Sequence, residues 1–316
     1  MKHPWIIIAF LFLVAGCTSR SEELNHMLKQ RYSQIETAIN QLQLKLNANQ
    51  ISNATRLGIY SDKLETLKPE YQELIDSLRR NATTSGPLFL ALVDRFEQVK
   101  KAPGESVAQL EEKYIEASNV LEALRPATFN DALSDTVNVM ADISDGELTR
   151  VNSLSKDLEA ASNNSQDFGA GSQYIGNPTY GQWRTGSDGL SFWEWYGIYA
   201  LFDNLSGGRR HYYHSWSRSR PYSYYHDYGR YRYTSPANYK KQSRLETRTQ
   251  KSFRSQGKRF SSPYAKQRVG ASRLSKESTS RPSSGSFRKA SSYRNSASST
   301  TRRGSSRTSR GPSRGK

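Results

Sequence analysis

Few residues in this chain combine a reactive side chain with a spacing that could use it. Cys17 is the only cysteine, so its thiol has no partner for a disulfide and no second thiol for a metal. Beyond it, the histidines are His26, His211, His214 and His226. His211-Tyr-Tyr-His214, followed by His226-Asp227, has a spacing at which imidazoles bind zinc or copper weakly. It sits in a Gly- and Arg-rich stretch, which reads better as a polar aromatic loop. The one Gly-x-Ser-x-Gly match, Gly311-Pro-Ser-Arg-Gly315, lies in the Ser/Arg-rich tail without the strand–turn–helix setting of a nucleophile elbow. Gly311-Pro-Ser-Arg-Gly-Lys316 is one residue short of a phosphate loop and has no strand or helix to hold it. Gly169-Ala-Gly171 lacks the third glycine and the βαβ setting of a dinucleotide site. Glu22-Glu23 and Glu111-Glu112 read as solvated helix faces, not as acid–base pairs. The inventory points to a protein that is not an enzyme and needs no cofactor or metal.

The position of Cys17 is more informative than its reactivity. It follows Val14-Ala15-Gly16, behind Lys2, His3 and an uninterrupted apolar or small-residue run from Trp5 to Gly16. At about 1.5 Å per residue that run covers roughly 18 Å, well short of the ~30 Å hydrocarbon core of a bilayer. It reads as a signal segment rather than a transmembrane helix. Val14-Ala15-Gly16-Cys17 resembles the lipobox of bacterial lipoproteins. The resemblance implies that residues 1–16 are removed, that Cys17 begins the mature chain, and that its thiol carries a diacylglycerol. One acyl chain gives only marginal binding, whereas the two or more of this class anchor stably. In Gram-negative members an Asp after the cysteine favours inner-membrane retention; Thr18 stands there instead and implies the outer membrane. The resemblance covers about seventeen residues and speaks to processing and address, not to activity.

The elements behind the anchor differ in physics. From residue 17 to 162 the chain is polar and rich in helical spacing. Leu28, Tyr32, Ile35, Ile39, Leu42 and Leu46 follow steps of three and four, as do Leu57, Tyr60, Leu64, Leu67, Tyr71, Leu74 and Leu78. Each set makes one apolar stripe. The stripes are out of phase across Asn47–Thr55, which favours a turn and a helical hairpin over one long helix with a stutter. Pro69 should kink or restart the second helix. Ser85-Gly86-Pro87 and Pro103-Gly104 break the chain again, with Ser106 suited to a helix start. Further helical spacing runs to Pro126 and then from Leu133 to Leu158. The expectation is an all-α, elongated hairpin or coiled-coil bundle.

Residues 163–233 are rich in glycine and aromatics. Leu190–Leu205 is nearly apolar on every face and reads as a short helix docked on the bundle or lying in a membrane interface. Tyr212 to Tyr233 interleaves aromatics with Arg and His and reads as a cation–π segment rather than a core. Residues 234–316 are basic and Ser-rich, with too few aliphatics to offset chain entropy, so disorder is expected.

From Leu205 onward there are 28 lysines and arginines against three acids, a charge of +25 in a chain whose net charge is +17, leaving −8 for residues 1–204. That asymmetry suggests diffuse binding of an anionic partner, with lipopolysaccharide, cell-wall polymer, anionic lipid or DNA as candidates. Arg209, Arg210, Arg218, Arg220, Arg302, Arg303, Arg307 and Arg310 are the representative cations. Trp193, Trp195 and Trp216 are the candidate aromatic contacts for a glycan or a membrane. The leading expectation is a lipid-anchored envelope spacer with a polyanion-binding end. The alternative is a protein–protein adaptor whose helical region pairs with another coiled coil or with itself, the tail serving as an electrostatic tether.

Overall fold

Two bent helical ribbons lie side by side and run in the same direction through the first half of the computed structural model, which describes residues 19–280. The first ribbon is α1 (Arg20–Asn47) and α2 (Ser52–Leu67). Its start is a capping box: the Ser19 hydroxyl accepts from the Glu22 amide at 3.3 Å, and the Glu22 carboxylate accepts from the Ser19 amide at 2.9 Å. Steps of three and four place Leu24, Leu28, Ile35, Leu42 and Leu46 of α1, and Leu57, Tyr60 and Leu64 of α2, in the core. Pro69 restarts the chain as a 3-10 turn, Pro69–Tyr71, leading into α3 (Gln72–Arg80). α4 (Pro87–Lys101) opens with proline at its first turn, where a missing amide costs nothing.

The second ribbon is α5 (Val107–Leu124), α6 (Pro126–Ala132) and α7 (Ser134–Ile143), and Ser106 forms a capping box with Gln109 at its start. The pairing of the ribbons is read from their polar ties. Arg31 Nη2 donates to the Tyr114 hydroxyl at 2.6 Å, and the Asn53 amide and Nδ2 donate to Asn130 Oδ1 and O at 2.8 and 2.7 Å. Tyr60 donates to the Thr149 carbonyl at 2.8 Å, and Lys68 reaches Asp145 at 2.6 Å. Partner numbers rise from Arg31–Tyr114 through Asn53–Asn130 to Lys68–Asp145, so the ribbons are parallel, and Thr149 returns to Tyr60 from the chain past the end of the second ribbon.

The expected hairpin across Asn47–Thr55 is therefore not formed. The chain bends at Asn49, which adopts φ 55°, and continues. Asn53 lies opposite Asn130, so the bend of the first ribbon matches the break before Pro126 in the second. Ile51 is buried at the bend, and folding back would pull it and Leu46 off the second ribbon. α4 supplies the antiparallel neighbour instead. Arg95 Nε and Nη2 donate to Glu116 Oε1 of α5 at 2.9 and 2.6 Å, and Tyr32 packs edge-on against Phe96 at 5.7 Å.

After α7 the chain changes character. Leu148–Leu154, whose spacing suggested a helix, is irregular: Arg150 is wedged between Asp142 and Glu159 and also donates to the Leu154 carbonyl at 2.6 Å. α8 (Lys156–Asn163) follows. Next comes an antiparallel hairpin of β1 (Gly181–Thr185) and β2 (Ser191–Trp195), with Trp183 opposite Trp193 and Gly181 opposite Trp195.

The apolar helix expected over 190–205 is thus replaced by a strand, a 3-10 turn Gly197–Ala200, and α9 (Leu201–Leu205). Trp193 and Trp195 share one face at a period of two, with Glu194 on the other, which is strand alternation hidden in an all-apolar run. Gly181 permits it: a Cβ there would come within 2.6 Å of the Trp193 ring.

The remaining elements are α10 (Tyr213–Ser219), a π-turn Tyr225–Gly229, α11 (Arg230–Tyr233), α12 (Pro236–Ser255) and α13 (Lys276–Thr279). Two expectations are corrected. Tyr213, Trp216, Tyr222, Tyr224, Tyr225 and Tyr233 are buried, so the aromatic segment is a core. The chain from Thr234 to Ser280 is ordered, because buried polar groups substitute for the aliphatics it lacks. Arg220 Nε holds the Pro263 carbonyl at 2.9 Å, Arg232 holds the carbonyls of Glu277, Ser278 and Ser280 at 2.7 to 2.9 Å, and Asp131 takes the Ser275 amide and hydroxyl. These bonds strap residues 256–280 across the body. No helix among the described residues is long and apolar enough to cross a membrane. Cys17 and residues 281–316 lie outside the described residues.

Candidate polyanion interface

The tryptophans nominated for surface contact are interior. Trp216 is fully buried and Trp193 and Trp195 nearly so. They form one aromatic network through Trp183, which sits 5.2 Å from Trp193, 5.3 Å from Trp216 and 5.0 Å from Tyr213, ring centre to ring centre. Trp195 stacks obliquely on Phe202 at 5.1 Å and donates its indole N–H to Asp203 at 3.1 Å. A glycan or a lipid tail has no access to these faces.

The nominated arginines divide. Arg220 is buried in a two-bond fork with Asp227, at 2.7 and 3.1 Å, and is a structural ion pair instead of a polyanion contact. Arg209, Arg210 and Arg218 are exposed, and Arg210 lies over the Phe192 ring at 4.7 Å. Arg302, Arg303, Arg307 and Arg310 fall outside the described residues.

Among the described residues the densest cationic surface lies on α12, in a segment whose composition predicts disorder. α12 is capped by Ser235, whose hydroxyl accepts the Asn238 amide, and opens with Pro236. One side docks. Gln242 Nε2 reaches the Tyr225 hydroxyl at 3.0 Å and the Gly176 carbonyl at 3.3 Å, its Oε1 accepts from Arg230, and Leu245 is buried. Arg230 in turn lies over the rings of Tyr239 and Tyr264, at 4.4 and 3.5 Å.

At 100° per residue the docked positions 239, 242, 245, 246, 249 and 253 span an arc of about 120°. Lys240, Lys241, Arg244, Arg248, Lys251 and Arg254 occupy the opposite arc of about 140°, and all six are exposed. The single acid of the helix, Glu246, falls on the docked side. None of the six cations forms an ion pair with a described residue. Their spacing was readable in the sequence; what hid them was the low aliphatic content of the helix.

The C-terminal end of α12 meets α10. The His214 ring is 6.5 Å from Phe253, and burial, then Arg218 and Lys258, push its pKa below the usual imidazole value. Arg218 and Lys258 are exposed near this end of α12.

The other histidines have separate surroundings. His211 is buried edge-on to Phe168 at 5.6 Å, and burial, with Arg209, pushes it down to about 4. His226 Nε2 bonds the Ile175 carbonyl at 2.7 Å, and burial and Arg220 hold it well below the usual range. Their rings meet no described hydroxyl or carboxylate, the geometry that general-base activation of a nucleophile requires.

Among the described residues no three His, Cys, Asp or Glu side chains converge in a way that could hold a metal ion. The most perturbed carboxyl, Asp135, is structural. Burial pushes it up to about 7, against the pull of the Tyr225 and Tyr224 amides and the Ser223 hydroxyl that it accepts from. An open groove between the ribbons is lined by Arg31, Gln34, Thr37, Gln41, Leu124 and Arg125 and contains no acid or nucleophile pair. Comparison with family models, curated proteins and solved structures finds no match for this chain.

Proposed function

We propose that this protein is a lipid-anchored, non-enzymatic component of the bacterial cell envelope. Acyl chains on Cys17 hold it at the outer membrane, the paired helical ribbons act as a spacer, and the basic C-terminal region contacts anionic envelope polymers or lipids. The observation that carries the reading is the face of α12: six exposed cations on one arc, none ion-paired with a described residue, with the helix's only acid on the far side. Such a face has a repulsive self-energy that an anionic partner relieves while counterions are released. The adaptor reading receives less support. The apolar stripes of α1 and α2 that would recruit a partner helix are already buried within the protein's own core.

Two measurements test the proposal. Replacing Cys17 by Ala should leave the protein unprocessed and unlabelled by fatty acid; normal labelling would remove the anchor. Affinity for a polyanion such as lipopolysaccharide should fall about a thousandfold between 50 and 200 mM salt if six phosphates are engaged. A flat salt response would remove the electrostatic mechanism.

A further inference from the structure

We infer that the cationic face of α12 is a docking face for the headgroup phosphates of an anionic lipid surface. The inference rests on the reading that the basic region contacts anionic envelope material, and narrows it to one face and one partner.

The shape of the face favours a surface over a polymer. α12 is about 30 Å long at 1.5 Å per residue, and its cations stand on a convex ridge. Proteins that bind single-stranded nucleic acid track the backbone in a groove and stack bases on aromatic side chains. This ridge offers neither: no large apolar or aromatic residue between 236 and 260 is strongly exposed. The same absence means that nothing on the ridge can wedge into acyl chains, so the helix lies on headgroups without inserting. A planar layer of phosphates meets all of the outward cations at once, whereas a chain molecule must be laid along the ridge and held straight.

Location adds a second argument. The first described helix is capped by Ser19, two residues along the chain from Cys17, so acyl chains at Cys17 would tether the folded body to the leaflet that carries the headgroups. Tethering then converts a weak face into an effective second membrane signal.

The test uses the chain from residue 17 with Cys17→Ser, so that no acyl chain contributes to binding. One variant neutralises the ridge: Lys241→Gln, Arg244→Gln, Arg248→Gln and Lys251→Gln, which removes four charges and retains helix-forming residues. A matched variant removes four charges elsewhere: Arg302→Gln, Arg303→Gln, Arg307→Gln and Arg310→Gln. Both are titrated with phosphatidylcholine vesicles containing one part in three phosphatidylglycerol, and separately with a short DNA duplex. Circular dichroism and thermal melting check that each still folds.

Each cation near an anionic surface strengthens binding about fivefold. The ridge variant should therefore lose on the order of a hundredfold or more in vesicle affinity at low salt, and the matched variant far less. Equal losses would overturn the inference while leaving diffuse polyanion binding standing. So would a ridge variant that loses only duplex binding, which would make a linear phosphate polymer the partner. Failure of the unaltered chain to bind either probe would bring down the broader reading itself.

Discussion

The helical ribbons and the aromatic body are held together by different means. In the ribbons, leucine and isoleucine at steps of three and four meet across parallel helices, and the polar ties such as Asn53–Asn130 set register and supply little of the burial. In the aromatic body the apolar volume comes from Trp and Tyr. The chain that crosses it is fixed by buried arginines and carboxylates: Arg220 with Asp227, Arg232 with the carbonyls of residues 277–280, and Asp135 with the 223–225 turn. Apolar burial is non-directional and tolerant of small shifts. A buried ion pair or carbonyl clamp is directional and fails sharply when one partner is removed. One half of this protein should accordingly degrade gradually under substitution, and the other abruptly.

The largest effect should come from Arg220→Ala, which strands the Asp227 carboxylate in the interior. A loss of about 3–5 kcal/mol is expected, read from denaturant unfolding. Replacing both partners with apolar residues of similar size, Arg220→Met with Asp227→Leu, should be clearly milder than the single change. If the double variant is as unstable as the single one, the clamp is not what orders the 256–280 strap.

Acid acts on the aromatic body through its buried histidines and carboxyls in opposite directions. His211 and His226 have folded pKa values below their unfolded ones, so the unfolded chain binds more protons and stability falls as pH drops through 6.5 towards 4. Asp135 works in the opposite direction: its folded pKa lies above its unfolded value, so its contribution grows as pH drops from about 7 towards 4. Glu116, Glu159 and Asp203, whose pKa values burial also raises, act in the same direction as Asp135, so the histidine contribution is read from a histidine substitution and not from the net slope. His211→Leu should recover on the order of 3 kcal/mol of the loss seen at pH 4. An unchanged acid limb would show that His211 is not kept neutral by burial.

Two glycines give the smaller effects and opposite signs. Gly181→Ala places a methyl group into the Trp193 ring and the Glu194 carbonyl, and should cost about 1–3 kcal/mol. Gly58→Ala, inside α2 with open space around it, should stabilise by about 0.5–1 kcal/mol. Matching signs in thermal melts would contradict the contrast between a tolerant ribbon and a close-fitted aromatic body.

The helical half was legible because its signals are local. Capping by Ser106, the breaks at Gly86-Pro87 and Pro103-Gly104, the restart at Pro69 and the apolar stripes are each decided within a few residues. The hairpin at Asn47–Thr55 was misread because a phase change in a stripe marks a bend as well as a turn. Which one forms depends on whether Ile51 finds its cover in α1 or in the second ribbon. In the aromatic half, Ser191–Trp195 looked helical because both faces are apolar enough to hide the period of two. Arg220 and Arg232 looked like surface cations because nothing local reports a burial partner far along the chain.

By itself, then, the sequence determined the capped starts and proline and glycine breaks of the first half, the lipobox-like segment at Cys17, the charge asymmetry and the spacing of the α12 cations. Tertiary structure alone decided that the ribbons run parallel, that the tryptophans face inward, and that residues 234–280 are strapped down to leave one cationic face outward. The division follows the range of the forces. Capping, stripe spacing and charge count depend on neighbours along the chain, whereas a buried arginine and an aromatic core exist only once distant segments have excluded water from between them.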